Sequence, residues 1–223
     1  QIMSLILNIE TATKNCSVAV AKNGQVLASR EIAEAGYSHA EKLHVFIGEA
    51  LKELSLKFSD LQAIAVSKGP GSYTGLRIGV SATKGFCYAL DIPLISINTL
   101  QVLASQVQIE NGIIIPMLDA RRMEVYSAQF NPKHDMTGPI QAEIISSNSY
   151  TDNPSEIIIV GDCQEKLRDI LTASNIKFLP DIVFPSAKDM TKLSFKKFND
   201  KDFEDVAYFE PLYLKEFMTA KPK

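Results

Sequence analysis

The order of apolar runs along the first hundred residues is the strongest constraint on the fold. Three short strand-like runs come first, joined by polar turns that include Asn23-Gly24, a pair typical of tight hairpins. Helical and strand-like runs then alternate, which gives the order β-β-β-α-β-α-β-α. Meandering strands followed by helix-separated strands predict a mixed sheet whose later strands are parallel and covered by helices.

A second series of apolar strands begins near Ile113 and repeats the succession of a strand, a polar turn and a partner strand. This repetition favours two subdomains of related α/β construction over one continuous sheet. A length of 223 residues fits that division. We therefore predict an N-terminal subdomain over residues 1–100 and a C-terminal subdomain over residues 101–223.

Composition excludes several classes of function. The 23 Lys and Arg against 26 Asp and Glu give a net charge of −3, which lacks the basic excess of a protein that grips nucleic acid alone. The sequence has no apolar run of membrane-spanning length and opens without a secretion signal, so we expect a cytoplasmic protein with no membrane segment. The three cysteines form no Cys-x-x-Cys pair, which predicts reduced, buried thiols.

A glycine-rich segment at residues 69–79 (GPGSYTGLRIG) joins a predicted strand to a predicted helix. Backbone N–H groups at such a helix start suit a phosphate, with Gly71, Ser72, Thr74 and Gly75 as the candidate loop. The segment matches neither the Walker pattern nor the dinucleotide fingerprint. A purely structural tight turn is the alternative.

The helix predicted over residues 76–90 carries one narrow polar stripe, and the rest of its surface is apolar or small. The stripe consists of Arg77, Ser81, Lys84, Tyr88 and Asp91. One interpretation places this helix between the two subdomains. The other is that Gly75, Gly79 and Thr83 let a helix of another chain approach closely.

Two acidic residues end predicted strands that open the two halves, Glu10 and Asp119. In two-lobed ATP-handling folds, carboxylates at such strand ends face the cleft and hold Mg²⁺ through water. The alternative for Asp119, which precedes Ala-Arg-Arg, is that it accepts N–H bonds within a turn.

The sequence predicts no metal site and no catalytic constellation of its own. His39 and His44 lie five residues apart, about 140° around a helix, so they cannot chelate one ion together. No Gly-x-Ser-x-Gly elbow is present, which argues against a serine hydrolase.

Several motifs in order along the chain resemble the TsaB (YeaZ) family. They are Ile9-Glu-Thr-Ala-Thr13, Cys16-Ser-Val-Ala-Val20, Ser38-His39 with Leu43, the glycine-rich segment 69–79, Asp119-Ala-Arg121 with Glu124-Val-Tyr126, and Pro211-Leu-Tyr-Leu214. The resemblance spans nearly the whole chain, and it implies a two-lobed α/β fold of the actin, sugar kinase and Hsp70 type, with mixed β-sheets flanked by helices.

The resemblance also implies a function in making N6-threonylcarbamoyladenosine at position 37 of tRNA. In that family TsaB is a non-catalytic scaffold that docks onto the catalytic subunit TsaD, the ATPase TsaE joins the assembly, and TsaC supplies the threonylcarbamoyl-adenylate. We therefore expect TsaD and TsaE as partners, a functional link to TsaC, a homodimer when the chain is alone, and contact with tRNA only through the complex.

The family assigns its partner interface to the helices predicted near residues 39–54 and 76–90. The interface residues expected here are His39, Gly75, Arg77, Gly79, Thr83 and Phe86. We expect no required cofactor, and weak ATP or ADP binding with Mg²⁺ at the partner interface.

One residue departs from the family pattern, because many relatives carry Asp where this chain has Glu10. The longer side chain changes the reach of a water-mediated Mg²⁺ site, which argues against independent nucleotide turnover. The alternative function is a small-molecule kinase or ATPase that uses Glu10, Asp119 and the glycine-rich loop.

Overall fold

The structure, a computed structural model, describes residues 4–33 and 39–214. It consists of two five-stranded mixed sheets with helices packed against them. The strands are β1 Leu5–Glu10, β2 Asn15–Lys22, β3 Gln25–Ala33, β4 Ala63–Gly69, β5 Leu94–Asn98, β6 Ile113–Asp119, β7 Glu124–Ser127, β8 Gln141–Ile144, β9 Ile157–Val160 and β10 Ile176–Phe178. The helices are α1 His39–Glu53, α2 Tyr73–Leu90, α3 Thr99–Ala104, α4 Gln164–Leu167 and α5 Ala187–Asp200.

The first sheet has the strand order β3-β2-β1-β4-β5. Strands β1, β2 and β3 pair antiparallel, whereas β1, β4 and β5 run parallel. The predicted hairpin turn lies between β2 and β3, where Asn23 and Gly24 both have positive φ, of 52° and 78°. That backbone matches the twist of the flanking strands and suits an Asn-Gly pair.

The second sheet repeats the first, with the order β8-β7-β6-β9-β10 when it is read in the same sense. Strands β6, β7 and β8 are antiparallel, and β9 and β10 are parallel to β6. The same topology thus occurs twice, which confirms the predicted two-lobed α/β fold class with mixed sheets.

Helices cover both faces of the first sheet. Helices α1 and α2 lie on one face, helix α5 lies on the other, and α3 lies between the two sheets. Leu43 and Ile47 of α1 are fully buried against the sheet, and burial of each such side chain contributes about 1.5–3 kcal/mol. Their spacing of four residues is the helical period that predicted this element.

Helix α2 begins three residues before the position predicted from the sequence. Ser72 is its N-cap, and the Ser72 hydroxyl accepts a hydrogen bond from the Gly75 N–H at 3.3 Å. This bond satisfies one of the N–H groups that a helix start leaves free. The cap proposed for α1, Ser38, lies outside the described residues.

The predicted C-terminal subdomain of residues 101–223 is wrong for residues 187–214. Helix α5 packs on β1 and β2 of the first sheet. Residues 204–214, which we call the C-terminal strap, then pass along the edge of the same lobe: the Glu204 N–H donates to the Leu94 carbonyl at 2.9 Å, and the Leu212 N–H donates to the Lys68 carbonyl at 2.6 Å. The chain therefore returns to its first lobe after it completes the second.

The strap is held by one buried aromatic ring and one lysine. Phe209 is 8% exposed and belongs to the core between the first sheet and helices α1 and α2. The Lys84 ammonium of α2 donates to the carbonyls of Ala207 and Phe209, at 3.1 and 3.0 Å. Within residues 4–33 and 39–214, no helix is long and apolar enough to cross a membrane.

We predict that Phe209→Ala destabilises the chain by about 3 kcal/mol, because it empties a core position that neighbouring side chains cannot refill. Tyr208→Ala is the matched control, since Tyr208 is 84% exposed beside it and its loss should change stability by less than about 0.5 kcal/mol. Urea unfolding of both variants measures the difference. Equal stability of the two would show that the strap is not part of the core.

Candidate functional site

The turn at residues 11–13, which follows β1, is the point where the glycine-rich segment and both covering helices meet. The Ala12 carbonyl accepts a hydrogen bond from the Ser72 N–H at 2.7 Å. The Thr11 hydroxyl donates to the Gly75 carbonyl at 2.8 Å, and the His39 Nε2 donates to the Thr13 carbonyl at 2.7 Å. The 11–13 turn therefore holds the first turns of α1 and α2.

The glycines of the glycine-rich segment are needed for this close approach. A Cβ at Gly71 would clash with the Ala12 carbonyl, and a Cβ at Gly75 would clash with the Thr11 carbonyl. Gly69 has a φ of +105°, and a Cβ there would lie 2.7 Å from the Leu212 carbonyl of the strap. The geometry supports the structural interpretation of this segment, since chain segments occupy the space in front of its glycines.

Two of the N–H groups proposed to bind phosphate are used within the chain. The Ser72 N–H donates to Ala12, and the Gly75 N–H donates to the Ser72 hydroxyl. Thr74 is exposed at the first turn of α2. Weak nucleotide binding at Gly71, Ser72, Thr74 and Gly75 stays a prediction. Fewer backbone N–H groups of the loop are available for a phosphate, because those of Ser72 and Gly75 already have partners.

The small-residue face of α2 is a core surface, so its predicted role in contacting another chain is wrong. Gly79 is buried, and a Cβ there would clash with the Thr11 hydroxyl oxygen. Thr83 is fully buried and donates to the Gly79 carbonyl at 2.8 Å. Gly75, Gly79 and Thr83 face their own first lobe, and α2 lies on that lobe's sheet rather than between the lobes.

His39 is also placed inside the chain rather than on a partner surface. It is fully buried, and burial lowers its pKa below the ordinary value, although the bond to the Thr13 carbonyl opposes that shift. His39 is therefore neutral at pH 7 and serves to fix α1 on the 11–13 turn.

The outward side of α1 and α2 is accessible. We call this surface the outer face: it consists of His44, Val45 and Gly48 on α1 and of Arg77, Ser81, Gly85, Phe86 and Tyr88 on α2. Tyr88 is 84% exposed and Val45 is 51% exposed. The His44 ring packs edge-on against the Phe86 ring at 5.8 Å, and Phe86 stacks on Phe58 at 5.0 Å. Of the predicted interface residues, Arg77 and Phe86 belong to this face.

Sequence reasoning missed Gly48 and Gly85 of the outer face. Both lie inside helices, and a Cβ at either position would meet no atom within 4 Å. Glycine in a helix interior costs about 1 kcal/mol relative to alanine, and nothing in the described chain requires it at these positions. The signal was present in the sequence, as a glycine within each predicted apolar helix.

The two carboxylates proposed for Mg²⁺ lie in different environments. Glu10 is fully buried, and its Oε1 accepts hydrogen bonds from the Ala12 N–H at 2.6 Å and the Ser67 hydroxyl at 2.8 Å. Asp119 is exposed: its carboxylate accepts the Arg121 N–H at 2.9 Å and pairs with the Lys166 ammonium. Asp119 thus accepts an N–H bond within its turn, and its role in holding Mg²⁺ stays a prediction. Glu10 is buried, so the expectation that both carboxylates are open to the cleft is wrong for Glu10.

No strong nucleophile or metal cluster stands in the described parts of the chain. A search of residues 4–33 and 39–214 finds no group of three His, Cys, Asp or Glu side chains that could hold an ion. The three thiols are buried and free, and burial raises the pKa of Cys16 to about 11 and of Cys87 and Cys163 to about 12. Thiols of this kind are inert.

A cleft with a volume of about 630 Å³ lies beside the strap. Phe130, Met136 and Ile140 of the second lobe form one wall, and Tyr208 and Leu212 of the strap form part of the other. None of the predicted nucleotide residues lines this cleft.

We predict opposite effects of one substitution at two glycines of α2. Gly79→Ala should destabilise the chain by about 1–3 kcal/mol, because its methyl group must displace the Thr11 hydroxyl. Gly85→Ala is the control and should stabilise by about 0.5–1 kcal/mol, since its methyl group meets open space and the helix gains propensity. Thermal unfolding measures both, and a stabilising Gly79→Ala would contradict the packing described for the 11–13 turn.

Comparison with known proteins gives matches over most of the chain. The family model described as "TsaD: tRNA N6-adenosine threonylcarbamoyltransferase" matches residues 31–195, which is more than half of the chain. The TsaB protein of Escherichia coli is 27% identical, with 94% of each chain covered. The TsaB protein of Bacillus subtilis is 34% identical over 59% of this chain and 57% of its own length.

A solved structure shows the same fold. YeaZ from Pseudomonas aeruginosa superposes with a TM-score of 0.83 and 24% identity, covering 95% of this chain and all of the other. The match over residues 31–195 shows that the chain belongs to the family of that model, and the relatives that it matches over most of its length include TsaB proteins.

Proposed function

We propose that this chain is a non-catalytic scaffold or activator subunit in the biosynthesis of tRNA N6-threonylcarbamoyladenosine, and that it docks onto the catalytic protein TsaD. The E. coli and B. subtilis relatives are named as tRNA threonylcarbamoyladenosine biosynthesis proteins, which supports a role in making this modification. The observation that carries the docking proposal is the outer face, with a glycine in the interior of each of its two helices.

The shape of the outer face suits an approaching helix. Gly48 follows His44 by one helical turn, and Gly85 directly precedes Phe86, so the two glycines flank the contact between the His44 and Phe86 rings. Space in front of both glycines lets a partner backbone come close to α1 and α2. Large side chains stand beside them, with Tyr88 and Val45 largely exposed.

The chemistry of this face is that of a protein interface. Tyrosine and arginine are enriched among the interface residues that contribute most of the binding free energy. Tyr88 and Arg77 lie on the same helix. The Arg77 guanidinium lies 5.3 Å from the Tyr73 ring and donates to the Tyr73 hydroxyl at 2.9 Å, so its position is already fixed before a partner binds. A fixed side chain loses less entropy on binding.

A homodimer through the same face, the association of TsaE and the functional link to TsaC stay predictions of the family resemblance. The net charge of −3 supports contact with tRNA through the complex rather than by this chain alone. A homodimer would compete with TsaD for the outer face, so the two associations should exclude each other.

We predict that Gly85→Leu weakens association with TsaD at least tenfold, equivalent to about 1.4 kcal/mol. The leucine extends into the space in front of α2, and its Cβ meets no atom of its own chain within 4 Å, so the fold should be retained. Asn199→Leu is the control, because it adds a comparable side chain at an exposed position of α5, on the opposite side of the first sheet.

Isothermal titration calorimetry of the purified chain with TsaD measures this effect, and thermal unfolding verifies that both variants are folded. Unchanged affinity of Gly85→Leu would show that the outer face is not the docking surface. No association of the unaltered chain with TsaD at any concentration tested, together with unaffected tRNA modification, would overturn the proposed function itself.

The kinase or ATPase alternative predicts turnover by the chain alone. We propose that none occurs, because the Glu10 carboxyl is buried and the Asp119 carboxylate is bound by Lys166 and the Arg121 N–H. The expected result is no phosphate release from ATP and Mg²⁺ above the uncatalysed rate. Sustained release that Asp119→Asn abolishes would favour the alternative.

A further inference from the structure

One buried acid is left incompletely bonded at the base of the 11–13 turn. Glu10 is 0% exposed, and its Oε1 accepts two hydrogen bonds, from the Ala12 N–H and the Ser67 hydroxyl. Its Oε2 has no hydrogen-bond partner among the described residues. A buried oxygen without a partner is costly, and the cost is far larger if the group is charged.

The bonded oxygen of Glu10 is directly connected to the start of α2. The Ala12 peptide donates its N–H to Glu10 Oε1 and accepts the Ser72 N–H with its carbonyl, and Ser72 is the N-cap of α2. A movement of the Glu10 carboxyl therefore acts on the residue that caps this helix. The neighbouring residues Thr11 and Thr13 bind Gly75 and His39, so the same turn also holds α1.

Within residues 4–33 and 39–214, Glu10 forms no ion pair that would balance its charge. The burial of Glu10 raises its pKa from 4.5 to about 7, and the hydrogen bonds from Ala12 and Ser67, together with the nearby Thr11 backbone, only partly oppose this. From β2, the Cys16 thiol is a titratable neighbour, and its own pKa is raised by burial and by Glu10. Strand β4 presents the Ser67 hydroxyl, and α1 presents His39 to the same turn. Lys14, which directly follows the turn, is exposed.

We propose that Glu10 is a proton-linked positioning residue, whose protonated form keeps the 11–13 turn, and with it the outer face of α1 and α2, in the arrangement that binds TsaD. The docking part of this inference rests on the proposed function. Loss of the proton places an unpaired charge in the core, and the carboxylate can reduce that cost by turning towards water or another N–H group. A movement of this kind that takes Oε1 away from the Ala12 N–H loosens the cap of α2.

The direction of the pH effect follows from proton linkage. In the unfolded chain Glu10 ionises near pH 4.5, whereas in the folded chain it keeps its proton up to about pH 7. The folded state therefore binds more protons in this window, and stability falls as the pH rises from about 4.5 to 7 before it levels off. His39 acts in the opposite direction at lower pH, so the effect of Glu10 has to be measured as a difference between variants.

The test is the pH dependence of Glu10→Gln, which has nearly the same shape and never ionises. Relative to the unaltered chain, its unfolding constant should decrease by up to tenfold per pH unit between about pH 4.5 and 7. The control is Glu165→Gln, at an exposed position of α4, which should follow the unaltered chain. Parallel stability curves for Glu10→Gln and the unaltered chain over this range would overturn the inference.

Two further measurements keep the inference testable if Glu10→Gln does not fold. In the unaltered chain, the carbon-13 shift of the Glu10 carboxyl should titrate with a midpoint near pH 7, and a midpoint near 4.5 would overturn the inference. Hydrogen exchange at the Ser72 and Gly75 amides, corrected for intrinsic rates, should become faster as the pH rises through 7. Unchanged protection would overturn it as well.

Calorimetry with TsaD between pH 6 and 8.5 tests the docking part. The affinity of the unaltered chain should decrease with rising pH, and that of Glu10→Gln should stay constant. If TsaD binds with equal affinity at every pH, the docking inference fails while the proposed function stands. If TsaD does not bind at all, the proposed function fails, and the stability and titration experiments still decide the role of Glu10.

Discussion

The contact between the 11–13 turn and the glycine-bearing side of α2 is the constraint on which the first lobe depends. The backbone of the turn approaches Gly71 and Gly75 more closely than a Cβ allows, and the Thr11 hydroxyl does so at Gly79. Side-chain hydrogen bonds from Thr11 and His39 complete the contact. The same contact fixes the direction of α1 and α2, so it also determines which residues of the two helices face outward.

The glycines of α2 therefore have two physical roles. Gly75 and Gly79 are required by the fold, because any side chain there would push α2 away from the 11–13 turn. Gly85, like Gly48 on α1, faces open space and weakens its helix without a return in the isolated chain. The proposed docking explains this cost, because a partner helix would then occupy the space. The side of α2 on which each glycine lies therefore distinguishes the glycines that the fold requires from the one assigned to docking in our proposal.

Much of the fold could be predicted from the sequence, because strand alternation, the Asn23-Gly24 turn and the helical period of α1 are local signals. The duplicated topology also followed from the order of elements. Helix α5 and the strap were missed, since residues after 181 have poor periodicity and the return to the first lobe depends on distant contacts such as Leu212 with Lys68. The candidate site was predicted less well: sequence spacing placed Gly79 and Thr83 on one side of a helix but could not tell which side was covered by the same chain.

Hydrogen exchange of the chain with and without TsaD tests the central claim, that the outer side of α1 and α2 is the docking surface, most directly. The account predicts slower exchange in peptides that cover His39–Glu53 and Tyr73–Leu90 when TsaD is bound, with little change in β8 or α5. Protection confined to the second lobe, or to α5 on the opposite side of the first sheet, would contradict it.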